Sequence, residues 1–172
     1  MSLFFIQKFQ EDGSNAVRSL KKLTHYEGNR AGTLLESKNV NLLKGLCGLK
    51  SLQSFSMNQS FKSFTDQDLE VIREVFILLH TLRSLTLSFS LTSEQEHILG
   101  VLFEGVNKMI HLRCLDILTD IVNTEVIKSI SKVIRNCTEI QDLTLIILNQ
   151  PLYEVDFSSL KEALLETKHL KA

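Results

Sequence analysis

The stretch LRSLTLSFSL, residues 82–91, sets Leu82, Leu85, Leu87 and Leu91 at spacings of three, two and four, with mostly small polar residues between them. A helix wants apolar residues every three or four positions and an amphipathic strand wants strict alternation, so this spacing fits neither. It recurs as LQSFSMNQSF at 52–61, LRCLDILTDI at 112–121 and IQDLTLIILN at 140–149. The leading residues Leu52, Leu82, Leu112 and Ile140 lie 30, 30 and 28 apart, and a fixed period of this size marks a repeat architecture. Apolar residues occupy positions one, four and six of every copy: Leu52, Phe55 and Met57; Leu82, Leu85 and Leu87; Leu112, Leu115 and Ile117; Ile140, Leu143 and Leu145. Weaker members flank these, LKKLTHYEG from Leu20, 32 residues before Leu52, and a final HLKA in which Leu170 follows Ile140 by 30.

Between the copies run segments with helical periodicity and start signals. Thr65 precedes Leu69, Ile72, Phe76 and Leu79, and Ser93 with Glu96 forms a capping box ahead of Ile98, Leu102, Val106 and Met109. Asn123 is placed to cap the segment carrying Ile127, Ile130 and Ile134, and Asp156 the one carrying Leu160 and Leu164. Each repeat therefore predicts a short strand, a turn and a helix of about three turns. The lone Pro151 falls in a turn between elements, where its missing donor does no harm.

On these residues the chain resembles the leucine-rich repeat family, in its long-repeat, ribonuclease-inhibitor-like branch, over about residues 17–172. The family's asparagine or cysteine, three positions after the last motif leucine, is replaced by Ser60, Ser90, Asp120 and Leu148, so serine or aspartate must serve the backbone there. The resemblance implies an α/β class fold, a right-handed α/β solenoid of about five repeats. Strands spaced about 4.8 Å apart and helices needing about 10 Å force such a stack to curve, with a parallel concave sheet and convex helices. Residues 1–16 then form an N-terminal helical cap, with LFFIQKF from Leu3 to Phe9 as the helix, or a partial repeat. The chain ends just inside another repeat motif, which leads to the expectation of self-association through uncapped solenoid ends.

Strand alternation points the motif's fourth and sixth residues into the core and their neighbours outward. The concave face should then show Lys22, Thr24 and Tyr26; Ser54, Ser56 and Asn58; Ser84, Thr86 and Ser88; Cys114, Asp116 and Leu118; and Asp142, Thr144 and Ile146. Small polar groups give way to acidic and apolar ones toward the C-terminal repeats. Phe89, Asp116, Leu118, Asp142, Ile146 and Ile147 form the candidate anchor patch, since binding energy gathers where aromatic and aliphatic groups stand beside charges.

Composition narrows the function. A formal net charge of −1 with scattered lysines and arginines offers no field for a phosphate backbone, so nucleic acid is not the expected partner. No apolar run nears the ~20 residues of a bilayer span, and MSLFFIQKF lacks a signal peptide's charged start, so no membrane partner and a cytoplasmic location are expected. The sparse set Cys47, Cys114 and Cys137 suits reduced thiols, with Cys47 and Cys137 read as small apolar groups. His80, His111 and His169 each lie one or two residues before a motif leucine, where a partly positive ring suits a helix end. No metal or cofactor site and no catalytic residue is predicted: Cys114 faces outward beside Asp116, with His111 outside that register. The favoured reading is a non-enzymatic module that recognises another protein through its concave sheet, as a segment of a larger regulatory, sensor or effector protein. The alternative is a structural or autoinhibitory spacer working through its convex helices, which exposed Phe103 or Ile77 would favour.

Overall fold

The computed structural model describes residues 2–5, 25–29, 49, 51–60, 66–90, 96–120, 123–148 and 155–170. Six strands, β1 (Ser2–Phe5), β2 (His25–Asn29), β3 (Ser54–Ser60), β4 (Ser84–Ser90), β5 (Cys114–Thr119) and β6 (Asp142–Ile147), form one parallel sheet in chain order. Helices α1 (Asp66–Leu78), α2 (Glu96–Val106), α3 (Thr124–Asn136) and α4 (Ser158–Glu166) follow β3, β4, β5 and β6 in turn. Parallel neighbours need a crossover between them, and each of the first three of these helices provides one.

The pairing matches the repeat residue for residue. Ser54 pairs with Ser84, Ser84 with Cys114 and Cys114 with Asp142, so the third motif residue is aligned across β3–β6. Motif positions one, four and six are buried in three consecutive copies, from Leu52, Phe55 and Met57 to Leu112, Leu115 and Ile117. The helices meet them with Leu69, Ile72 and Phe76, then Ile98, Leu102 and Val106, then Ile127, Ile130 and Ile134, all buried. Burying each such side chain contributes about 1.5–3 kcal/mol. Phe55 and Phe76 add an edge-to-face contact across the strand and helix layers, with centroids 6.0 Å apart. In β6 the equivalent Leu143 and Leu145 are only partly buried, because no strand covers their outer side among the described residues.

A second regularity precedes each of the strands β3 to β6. The amide of the leading motif residue donates to the carbonyl three positions back, in Leu52 to Leu49, Leu82 to Leu79, Leu112 to Met109 and Ile140 to Cys137. Cys137 thus holds the place of an apolar core residue. Burial pushes its thiol up to about 12 and the Sγ donates to the Met109 carbonyl at 3.3 Å, so it stays protonated and packs as a small apolar group. Cys47 lies outside the described residues.

Of the two cap signals within the described residues, Asn123 holds as expected and Asp156 is displaced by one position. Asn123 Oδ1 accepts from the Val126 amide at 2.8 Å, at the start of α3. For α4 the N-cap is Phe157, and Asp156 accepts from the Ser158 amide at 2.8 Å, so its carboxylate serves the helix start from one residue further out. Thr65, Ser93 and Pro151 lie outside the described residues. Two expectations at the N-terminal end are corrected. Ser2–Phe5 is a strand and not part of a helix, since a short apolar run takes whichever structure its neighbours complete. The first motif aligns from Leu23 rather than Leu20, since the register of β2 sets His25 opposite Ser54 and Tyr26 opposite Phe55. Two leucines three apart left that choice open, and a shift of three changes strand parity, so the face of every residue changes with it.

Two glycines of α2 make opposite demands. A Cβ on Gly105 would sit 2.7 Å from Phe76 Cβ and 2.9 Å from the Arg73 carbonyl oxygen, so α1 and α2 touch through the missing side chain. A Cβ on Gly100 meets nothing within 4 Å. Alanine in a helix interior ordinarily gains about 0.8–1 kcal/mol over glycine. Gly100→Ala should therefore raise the urea midpoint by that order, whereas Gly105→Ala should lower it, because α1 must move away. Equal shifts in the two variants would show that the helices do not meet there.

Candidate functional site

Strand alternation leaves one face of the sheet without helices, and the register assembles it into cross-strand rows. Ser54, Ser84, Cys114 and Asp142 form one row, Ser56, Thr86, Asp116 and Thr144 the next, and Asn58, Ser88, Leu118 and Ile146 a third. All of these side chains are half-buried or exposed. The rows begin small and polar on β3, and acidic or apolar residues enter on β5 and β6 with Asp116, Leu118, Asp142 and Ile146, while Thr144 stays polar.

The carboxylates on this face are held by their neighbours. Thr86 Oγ1 donates to Asp116 Oδ2 at 3.2 Å, Cys114 Sγ to Asp142 Oδ2 at 3.4 Å, and Ser90 Oγ to Asp120 Oδ2 at 2.5 Å. Each donor belongs to the preceding repeat, so repeat spacing itself positions the acids. Asp120 was noted in the sequence only as a departure from the family's asparagine, and the signal that identifies its role is its spacing of 30 from Ser90. Ile146 and Leu148, exposed by 41% and 47%, stand at the apolar end of the face.

Phe89 departs from the expectation. It is 5% exposed and packs with the core, because it shares strand parity with Leu85 and Leu87 and pairs with the buried Thr119. Ile147 likewise lies on the helix side, partly buried against the core. Of the candidate anchor residues, Asp116, Leu118, Asp142 and Ile146 lie on the open face. Lys22 and Thr24 lie outside the described residues.

His80, His111, Cys114 and Cys137 are engaged in local or cross-repeat contacts. His80 Nδ1 lies 3.1 Å from the Leu78 carbonyl and donates to it at the end of α1. His111 Nδ1 lies 2.9 Å from Glu139 Oε1, one repeat on, and Arg113 Nε donates to Glu139 Oε2 at 3.2 Å. His111 is thus engaged at the rim and not beside Cys114, whose thiol donates to Asp142; a thiol nucleophile with a histidine base is not assembled there. Among the described residues no three His, Cys, Asp or Glu side chains gather as a metal site would require, and no helix is long and apolar enough to cross a membrane.

The fold class is α/β, a parallel sheet whose strands alternate with helices, and it is compatible with a leucine-rich-repeat-like arrangement. No family model and no curated protein matches the chain. Among solved structures it is similar to the tropomodulin C-terminal domain of Caenorhabditis elegans, with a TM-score of 0.61, 15% identity and 90% of each chain covered. At that identity the likeness speaks for the fold alone.

The Glu139 cluster makes a testable contribution. Hydrogen bonds from His111 and then Arg113 hold the Glu139 carboxyl below its ordinary value of 4.5. A depressed carboxyl stabilises the folded chain above its unfolded value and loses that effect as pH falls through the folded one. Glu139→Gln should therefore unfold at lower urea concentration than the unaltered chain near pH 6, with the gap closing as pH drops below 4.5. A gap that is constant with pH would mean the pair contributes only packing.

Proposed function

We propose that this chain is a right-handed, curved leucine-rich-repeat solenoid of the ribonuclease-inhibitor-like kind that binds another protein through its concave sheet face, stoichiometrically and without turnover. The residues assigned to that surface are Ser54, Ser56, Asn58, Ser84, Thr86, Ser88, Asp116, Leu118, Asp142, Thr144 and Ile146. One observation carries the reading: the face opposite the helices carries Asp116 and Asp142, each accepting a hydrogen bond from the preceding repeat, together with the exposed Ile146. Carboxylates restrained before any partner arrives lose little side-chain freedom on binding, and short neighbours leave room for another surface to approach. The sparse thiols Cys114 and Cys137 suit a reducing compartment, so we place the module in the cytoplasm as part of a larger regulatory, sensor or effector protein.

The alternative, a spacer working through its convex helices, would be favoured by exposed apolar helix residues, and among these Leu78 and Leu165 are exposed by 55% and 78% whereas the two first considered are not. Phe103 is 2% exposed and belongs to the core, and Ile77 is partly covered.

The test compares proteins captured from lysate by the unaltered chain and by an Asp116→Arg, Asp142→Arg double variant, after circular dichroism confirms equal folding. The reading expects a protein retained by the unaltered chain and lost, by about tenfold or more, from the variant, since reversing a close interfacial charge costs more than the ~1.4 kcal/mol of a tenfold change. Equal capture by the two chains would move recognition off this face.

A further inference from the structure

The chain as a whole balances its charges, with 19 lysines and arginines against 20 aspartates and glutamates, yet the open face of the sheet does not. No outward residue of β3–β6 is a lysine or arginine, whereas Asp116 and Asp142 stand on neighbouring strands of that face. Elsewhere acids are met by cations. Arg73 pairs with Glu70 and Glu104, Lys128 with Glu125, Arg135 with Glu162 and Glu166, and Arg113 with Glu139, all on the helices or at the rim. Asp116 and Asp142 accept instead from the neutral donors Thr86 and Cys114, each through Oδ2, and neither meets a cation among the described residues.

The acids are also ordered with respect to the apolar residues. Cys114 pairs with Asp142, Asp116 with Thr144 and Leu118 with Ile146, so Asp142, Asp116 and the Leu118–Ile146 pair occupy three successive rows. Outward rows recur every two residues, about 7 Å, which is also the step between alternate side chains of any extended segment. With strands ~4.8 Å apart, the two aspartates lie about 8 Å from one another at Cα. Leu118 is half-buried and Ile146 is 41% exposed, so the third row offers apolar area. The complementary occupant therefore reads positive, positive, apolar at alternate positions. Anionic surfaces are repelled, and no three His, Cys, Asp or Glu gather among the described residues to hold a metal ion in their place. Arginine suits the two acids best, because its planar fork engages both oxygens of a carboxylate.

We propose that the open face takes an extended cationic segment of another protein, in which two basic residues at alternate positions meet Asp142 and Asp116 and an aliphatic residue two positions further on rests on Leu118 and Ile146. The inference rests on the reading that recognition uses this face, and adds the chemistry of the partner.

The experiment titrates the isotope-labelled full chain with the capped peptide GRSRSLG, with its reversal GLSRSRG, since the rows can be read from either end, and with the glutamate counterparts GESESLG and GLSESEG. Backbone amides are followed by NMR. One of the arginine peptides should shift amides of β5 and β6, and the glutamate peptides should shift none. In an Asp116→Asn, Asp142→Asn double variant, which keeps the shape and the hydrogen-bond acceptors, the Kd should rise about tenfold or more. Salt at about 1 M, where the Debye length falls to about 3 Å, should weaken binding to the unaltered chain as well. The cationic partner is overturned if the arginine peptides leave β5 and β6 unmoved, if the double variant binds them equally, or if these amides shift with protein concentration alone, which would place a second copy there. Shifts of β5 and β6 by the glutamate peptides only would remove the cationic partner and keep the face as the recognition surface. Arginine peptides that shift the helices instead would remove both.

Discussion

One carbonyl per repeat sets the register on which everything else in the sheet depends. The Gln53 carbonyl accepts the amides of both Arg83 and Ser84, at 2.8 and 3.0 Å; Arg83 accepts those of Arg113 and Cys114, and Arg113 those of Gln141 and Asp142, at the same two distances. With the strand start fixed there, parity decides the face of every following side chain, and a slip of one residue would turn the leucines out and the serines in. The lock is also indifferent to what lies between strands. Repeats of 30 and 28 residues enter it identically, so the difference in length is absorbed in the helix and its loops.

That division of labour explains which features the sequence made legible. Where apolar residues repeat at positions one, four and six, burial follows, because a parallel sheet covered by helices leaves those positions one environment. Asn123 was readable as a cap because the side chain that satisfies a helix start is a local matter. Phe89 was not: its residue type suggested an anchor, but its environment is set by strand parity and not by chemistry. The first motif failed for a related reason, since Leu20 and Leu23 are both acceptable leaders and only pairing with β3 distinguishes them. The carboxylate contacts of the open face were hidden because their donors lie 28 or 30 residues away, a distance that local spacing rules do not span.

The cross-repeat contacts are individually weak. Exposed pairs such as Arg135 with Glu162 and Glu166, at 3.1 and 3.0 Å, contribute at most about 1 kcal/mol each. Their importance is their direction. Thr86 to Asp116, Cys114 to Asp142, His111 to Glu139 and Ser131 to Ser159 all link neighbouring repeats on the sheet face, on the rim and between helices. Because each repeat touches mainly its neighbours, stability in such an arrangement is built from interfaces, and these contacts supplement the apolar ones at two successive interfaces.

The same economy accounts for the contrast between the open face and the last strand. An open face made of outward strand positions can vary freely, since the core needs only the alternate residues; it can therefore carry acids and isoleucine on β5 and β6 while serine persists on β3 and β4. The edge of β6 has no such freedom. Its apolar residues are the ones the repeat requires for its own core, and they stay half-covered unless a further strand completes the layer. Chemistry on the face is thus free to vary, whereas the half-covered leucines of β6 are a direct consequence of building a core one repeat at a time.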